Sequence, residues 1–273
     1  MLVGHGSTSN AASKAPVYQH AAEMRQRKLF AEVRDAFWKE PPFIRDAMQG
    51  ITTPRIFVVP LFISEGYFTL QAIPRELGLV APDAKLDTQN LPLKQARGTQ
   101  TLFYSGPVGT HNSMTNVLLA RAQAITEQFP FPTLPKPKQT TLFIAGHGTE
   151  QNENSRLTIE RQVELIRAMG IYADVFPLFI EEDPRIADCY KLATTKNIVI
   201  VPFFISDGMH TVEDIPVMLG EAARIVKERL QVGQPTWRNP MEKHGKQVWY
   251  ASSIGNELHI ADVILQRVRE AAM

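Results

Sequence analysis

The 273-residue sequence predicts an α/β protein of two tandem domains of one design, each a mainly parallel four-stranded sheet flanked by helices. Internal repetition carries most of that reading. Gly4-His5-Gly6-Ser7 returns 142 residues later as Gly146-His147-Gly148-Thr149. At the same offset Val59-Pro60-Leu61-Phe62-Ile63-Ser64-Glu65-Gly66 matches Val201-Pro202-Phe203-Phe204-Ile205-Ser206-Asp207-Gly208, and Ile73-Pro74 matches Ile215-Pro216. Towards the end of each copy the register slips by four, so that Tyr104, Gly109, Val117 and Arg121 match Tyr250, Gly255, Val263 and Arg267. A second observation is the kind of apolar run. Ile56-Phe57-Val58-Val59 and Ile198-Val199-Ile200-Val201 are short and apolar at every position, as strands covered on both faces of a parallel sheet are. The third is Phe129-Pro130-Phe131-Pro132-Thr133-Leu134-Pro135-Lys136-Pro137, a stiff, extended connector. The domains are therefore expected at 1–128 and 140–273, with a Pro-rich linker at 129–139.

Along the second copy, strands and helices are expected to alternate. A strand near 140–146 runs up to Gly146, and a helix near 153–169 ends at Gly170. The β-branched and aromatic stretch near 171–178 is the next strand. A helix near 184–194, a strand near 197–205, a helix near 211–229, a strand near 246–251 and a helix near 257–271 complete the unit. The second copy corrects a local ambiguity in the first. Residues 11–40 read as one long helix, rich in Ala, Gln, Lys, Arg and Glu, but their partners near 171–179 read as strand. The first helix is therefore broken near Lys28, with residues 29–37 as strand. Only Met1-Leu2-Val3 precede Gly4, so the first strand is either short or begins upstream.

Composition excludes several classes. Twenty-nine Lys and Arg oppose 28 Asp and Glu, which leaves no general basic face for nucleic acid or a membrane surface. No apolar run reaches the roughly 18–20 residues that span a bilayer, and no secretory leader pattern opens the chain, so a cytoplasmic protein is expected. The single cysteine, Cys189, rules out an internal disulfide framework, a Cys-based zinc site and a Cys-ligated iron–sulfur cluster within one chain. No Gly-x-Ser-x-Gly elbow, Walker A string or complete dinucleotide fingerprint is present.

Ligands of open α/β sheets sit at the carboxyl ends of the strands. In the second copy these ends carry His147 between two glycines, then Glu181-Glu182-Asp183, then Ser206 to His210. Two imidazoles and a carboxylate suit a borderline ion such as Co, Ni or Fe(II), and equally serve as proton acceptors near neutral pH. The first copy keeps His5 but has Lys39 opposite Glu181 and Phe68 opposite His210. A duplicated fold needs its core and turns twice but its chemistry once, which points to the second copy. His20, His111, His244 and His259 read as structural or exposed, and His5 is open between a relic of the duplication, a site residue and a hydrogen-bonded turn residue. Asp214 reads as a first-turn helix residue, Ser206 and Thr211 as helix caps before substrate contacts.

These residues resemble the class II tetrapyrrole chelatases, in particular the sirohydrochlorin cobaltochelatase/ferrochelatase group that includes CbiX. The carriers are Val3-Gly4-His5-Gly6-Ser7, Ala36-Phe37, Val59-Pro60-Leu61-Phe62, Gly146-His147-Gly148, Phe179-Ile180-Glu181, Val201-Pro202-Phe203-Phe204, Gly208-Met209-His210 and Asp214-Ile215-Pro216, spread over nearly the whole chain. The resemblance implies ATP-independent insertion of Co2+, Fe2+ or Ni2+ into sirohydrochlorin or a related tetrapyrrole, with the metal as substrate and no organic cofactor or iron–sulfur cluster. It maps the metal-binding and proton-accepting groups onto His147, His210 and Glu181. His5, Lys39, Glu65, Tyr67, Phe68 and Ser206 are expected to contact the macrocycle: the aromatic pair by stacking, Lys39 by pairing with a peripheral carboxylate. The expected partners are a tetrapyrrole and a metal ion, and the fused repeat is compatible with a monomer. A non-catalytic tetrapyrrole or metal carrier on the same fold is the alternative.

Overall fold

The computed structural model describes residues 1–8, 11–148 and 153–273. Thr149, which closes the second Gly-His-Gly string, lies outside them. In the first copy β1 (Leu2–Gly4), α1 (Ala15–Gln26), β2 (Asp35–Phe37), α2 (Ile44–Ala47) and β3 (Arg55–Pro60) follow in order. A π-helical turn, Phe68–Ala72, then runs into α3 (Ile73–Glu76), followed by β4 (Leu93–Arg97), β5 (Gln100–Tyr104) and α4 (Met114–Gln128). The second copy repeats the plan with β6 (Thr140–Gly146), α5 (Glu153–Met169), β7 (Asp174–Phe179), α6 (Cys189–Leu192) and β8 (Asn197–Pro202). A π-helical turn, His210–Asp214, leads into α7 (Ile215–Met218), then α8 (Ala223–Gln231), β9 (Met241–Lys243), β10 (Lys246–Tyr250) and α9 (Ile260–Ala272).

The two sheets have matching strand orders, β2-β1-β3-β5-β4 and β7-β6-β8-β10-β9. Four strands in each are parallel, as expected. A fifth, β4 or β9, pairs antiparallel to its successor at the sheet edge. Its turn signal is weak in sequence: β9 turns into β10 through His244 and Gly245, both at positive φ (50° and 71°), in place of the Asn-Gly or Asp-Gly pair that marks a hairpin most strongly.

The break in the first helix falls where the repeat puts it. Lys28 takes a left-handed φ of 53° just past the cap of α1, the conformation that ends a helix. The strand after it is shorter than 29–37: only residues 35–37 pair with β1. Residues 29–34 form a loop, held where Arg25 Nε donates to the Val33 carbonyl (3.1 Å) and Arg34 to the Ala47 carbonyl (2.7 Å). The long helix expected near 211–229 is divided at Gly220 (φ 92°), where buried Glu221 pairs with Arg229 at 3.0 Å.

The second all-apolar run is buried on both faces, Ile198, Val199, Ile200 and Val201 having no exposed surface, whereas in the first Ile56, Val58 and Val59 are buried and Phe57 is only partly so. Each such side chain contributes about 1.5–3 kcal/mol relative to an exposed one. Cys189 is buried too, which pushes its thiol up to about 12, so it stays protonated. Among the described residues no helix is long and apolar enough to cross a membrane.

Compact units and sequence copies differ by one helix each. One unit comprises Met1–Met114 with Leu258–Met273, the other Thr115–Glu257. In the first, Arg267 of α9 donates to the Pro107 carbonyl (2.9 Å) and Thr110 Oγ1 (2.7 Å), and Arg27 pairs with Asp262 at 2.7 Å. In the second, Arg121 of α4 reaches Ser252 Oγ (3.2 Å), and Trp249 Nε1 donates to the Phe129 carbonyl (2.9 Å). The prolines at 129–139 separate the sequence copies, whereas the helix that ends each copy packs in the other copy's unit.

Candidate metal and proton-transfer site

β6 and β8 place the two histidines. The last residue of β6, Gly146, leaves no room for a side chain, since a Cβ there would lie 2.0 Å from Ile159 Cδ1, and Gly148 takes φ 61° against the Glu182 side chain. Between them, the His147 carbonyl accepts the amides of Ile180 (3.0 Å) and Glu181 (3.1 Å), tying the loop after β6 to the loop after β7. His147 Nδ1 lies 2.8 Å from the Gly148 carbonyl. A carbonyl only accepts, so Nδ1 carries the hydrogen, and in the neutral ring the lone pair sits on Nε2. His210 opens the π-helical turn, with Nδ1 2.7 Å from Asp214 Oδ2, so its neutral ring likewise carries the lone pair on Nε2. The two rings meet edge to face at 4.8 Å. Glu181 Oε2 is 3.7 Å from His147 Nδ1, near but outside hydrogen-bond range.

The three acids after β7 separate cleanly. Glu181 is half exposed and faces His147. Glu182 turns inward and pairs with Arg156 of α5 at 2.8 Å, while Asp183 is almost fully exposed, 3.4 Å from Arg185. The Glu182–Arg156 pair has its counterpart in Glu40 and Lys14, also 2.8 Å apart. Lys14, then the Ser7 amide, holds the Glu40 carboxyl below the usual carboxylate range. A pair kept in both copies builds the loop.

The first copy has the same frame with different chemistry. His5 Nδ1 lies 2.7 Å from the Gly6 carbonyl, and its ring meets Phe68 edge to face at 4.5 Å. Trp38 is 5.2 Å from Phe68, Tyr67 5.3 Å and Phe62 5.9 Å, so this site is an aromatic cluster. Tyr67 is half exposed and Lys39 stands outward, its Nζ 5.8 Å from the Trp38 ring. Burial lowers the His5 pKa, with the Gly6 carbonyl opposing and Lys39 assisting. Glu65 and Ser206 are half-buried in the loops after β3 and β8. Trp38 was not among the expected contacts; its position just before Lys39 was the available signal.

The remaining histidines are placed elsewhere. His20 is buried in α1, His111 pairs with Glu270 at 3.1 Å, His244 turns a hairpin against Tyr190, and His259 precedes α9. Thr211 does not cap the following helix: its Oγ1 accepts the Gly208 amide (2.9 Å) and donates to the Gly208 carbonyl (3.0 Å), closing the loop on itself. Asp214 is the functional candidate that sequence reasoning set aside; the His-x-x-x-Asp spacing on one helical turn was its signal. Among the described residues no three His, Cys, Asp or Glu side chains already converge to hold an ion. His147, His210 and Glu181 approach that arrangement, and Glu181 is exposed enough to rotate.

Fold and site define a tandem α/β protein with an imidazole–carboxylate group at the strand ends of one copy. The profile of the CbiX family matches residues 1–125 and 141–271, and the chain belongs to that family. A Halobacterium salinarum protein described as a probable sirohydrochlorin cobaltochelatase is 40% identical, covering 99% of this chain and 90% of its own. The Methanopyrus kandleri sirohydrochlorin cobaltochelatase is 28% identical over 148 residues, 47% of this chain and 94% of that one. Among solved structures, a multi-domain Deinococcus radiodurans protein with structural similarity to chelatases superposes with a TM-score of 0.78 at 24% identity. It covers 99% of this chain, which spans 54% of that protein's length. SirB from Bacillus subtilis, solved with Fe3+, has a TM-score of 0.68 at 19% identity, covering 99% of this chain and 94% of its own.

Proposed function

We propose that the protein inserts a divalent metal, Co2+ or Fe2+, into sirohydrochlorin or a related tetrapyrrole without ATP, using His147, His210 and Glu181. The observation that carries this reading is the pair of imidazoles 4.8 Å apart, each bonded through Nδ1 so that the neutral ring carries its lone pair on Nε2, present in one copy and replaced in the other. Family membership and the 40% identical relative support the reaction class.

Metalation removes two pyrrole N–H protons while the ion sheds its water. A neutral imidazole nitrogen ligates or accepts a proton, never both at once, so at least two groups must share the work. His147 is the principal base and metal contact, held by its glycines; His210 and Glu181 complete the set. Imidazole with carboxylate accepts Co, Fe and Ni alike, so supply decides among them. The aromatic faces of Tyr67 and Phe68 beside His5 suit stacking on a macrocycle, Lys39 supplies a cation for its carboxylates, and Glu65 and Ser206 offer polar contacts. We place the reaction in the cytoplasm, carried out by a single chain without an organic cofactor.

Sirohydrochlorin and Co(II) mixed with catalytic protein and followed by absorption test this reading. Multiple turnovers above the uncatalysed rate are expected. One-to-one binding without acceleration would replace the enzyme with a carrier.

A further inference from the structure

We infer that Asp214 is a positioning residue for His210, fixing the imidazole with hydrogen on Nδ1 and the lone pair on Nε2. The inference rests on the proposed role of His210. Its geometry is direct: Asp214 Oδ2 lies 2.7 Å from His210 Nδ1 across one turn of the π-helix. A carboxylate offers no hydrogen at neutral pH, so the ring must donate, and only one neutral tautomer does so from Nδ1.

The helix start does not use the carboxylate. Asp214 occupies the N-cap position of α7, yet its side chain caps nothing there. The equivalent position in the first copy is Ala72, at φ −63° and ψ −53°, against −65° and −51° at Asp214. The same turn thus forms with a methyl group in place of the carboxylate.

The comparison sorts the neighbouring residues into two sets. Thr69 and Thr211 close the same loop on Gly66 and Gly208, and Tyr104 and Tyr250 donate to their carbonyls at 2.7 Å in both copies. Glu40–Lys14 and Glu182–Arg156 are likewise kept. His210 and Asp214 are replaced together, by Phe68 and Ala72. An acid that disappears with its histidine, and that the backbone does without, serves the histidine.

Asp214→Ala and Asp214→Asn, with His210→Ala as reference, provide the test. Nitrogen-15 NMR of the imidazoles reads the tautomer, and steady-state Co(II) insertion reads kcat and KM separately. Wild type is expected to hold His210 as the Nδ1–H form, and Asp214→Asn to keep it, because the amide oxygen still accepts. Asp214→Ala is expected to lose that form and about 10–100-fold in kcat, with little change in KM for the macrocycle or in the melting midpoint. An Nε2–H tautomer in wild type, or unchanged kcat in Asp214→Ala, overturns the inference. If His210→Ala itself leaves turnover intact, the site reading fails; if only His210→Ala abolishes turnover, Asp214 alone loses its role.

Discussion

Neighbouring acids with opposite duties give the sharpest prediction. Glu182→Ala removes an inward carboxylate, 17% exposed, that accepts a 2.8 Å charge-assisted bond from Arg156. Such bonds contribute about 1.5–3 kcal/mol. Arg156 is more than a third exposed and keeps Glu160 at 2.8 Å, so the expected loss is lower, about 1–2 kcal/mol. At about 2–4 °C per kcal/mol, the melting midpoint should fall by about 2–8 °C. Glu181→Ala removes a half-exposed carboxylate with no hydrogen bond to His147, so stability should stay within about 0.5 kcal/mol. Turnover should divide the other way, falling at least about tenfold in Glu181→Ala. In Glu182→Ala it should remain near wild type when assayed well below the midpoint. Calorimetry and Co(II) insertion kinetics on both variants read the two axes. A larger midpoint loss in Glu181→Ala, or abolished turnover in folded Glu182→Ala, refutes the division.

Other consequences follow from single contacts. Lys39→Ala should raise KM for the macrocycle with kcat little changed, and flatten the salt dependence of KM in a titration from low to high ionic strength. Gly255→Ala would place a Cβ 1.5 Å from the Ile205 carbonyl oxygen, a backbone atom that cannot swing away. Loss of about 4 kcal/mol or more, seen as insoluble or unfolded protein, is expected. His111 is held below its ordinary 6.5 mainly by burial, with Arg267 assisting and Glu270 opposing. A depressed histidine favours the neutral folded form, so its stabilisation is full above 6.5 and declines as pH falls through the folded value. His111→Gln should flatten the pH dependence of the melting midpoint below 6.5, and an unchanged slope would contradict that.

Much of the architecture was legible because the chain can be compared with itself. The 142-residue offset between His5 and His147 alone sets Lys39 against Glu181 and Phe68 against His210. It also broke the first helix at Lys28, which composition alone would have carried through. The edge strand β9 was hidden because Met241-Glu242-Lys243 is three residues long and its turn lacks the Asn-Gly or Asp-Gly pair of a strong hairpin signal. The exchange of α4 and α9 between compact units was hidden for another reason: an amphipathic pattern tells which helix face is buried, not which sheet covers it. The family resemblance singled out Glu181, but the residue types of Glu182 and Asp183 offered the same chemistry, since only backbone direction after β7 decides which acid points at His147. Asp214 admitted two readings at helical spacing, and the empty cap with the 2.7 Å contact chose between them.

The central proposal is that the chemistry belongs to the second copy, with His147 as its principal group. Multiple-turnover Co(II) insertion into sirohydrochlorin by His147→Ala and His5→Ala, two changes at matching positions, tests it most directly. His147→Ala is expected to lose at least about 100-fold in kcat with its melting midpoint unchanged, whereas His5→Ala should keep kcat within a few-fold and show its effect in KM. Equal loss of kcat in both variants, or full activity in His147→Ala, would contradict the account.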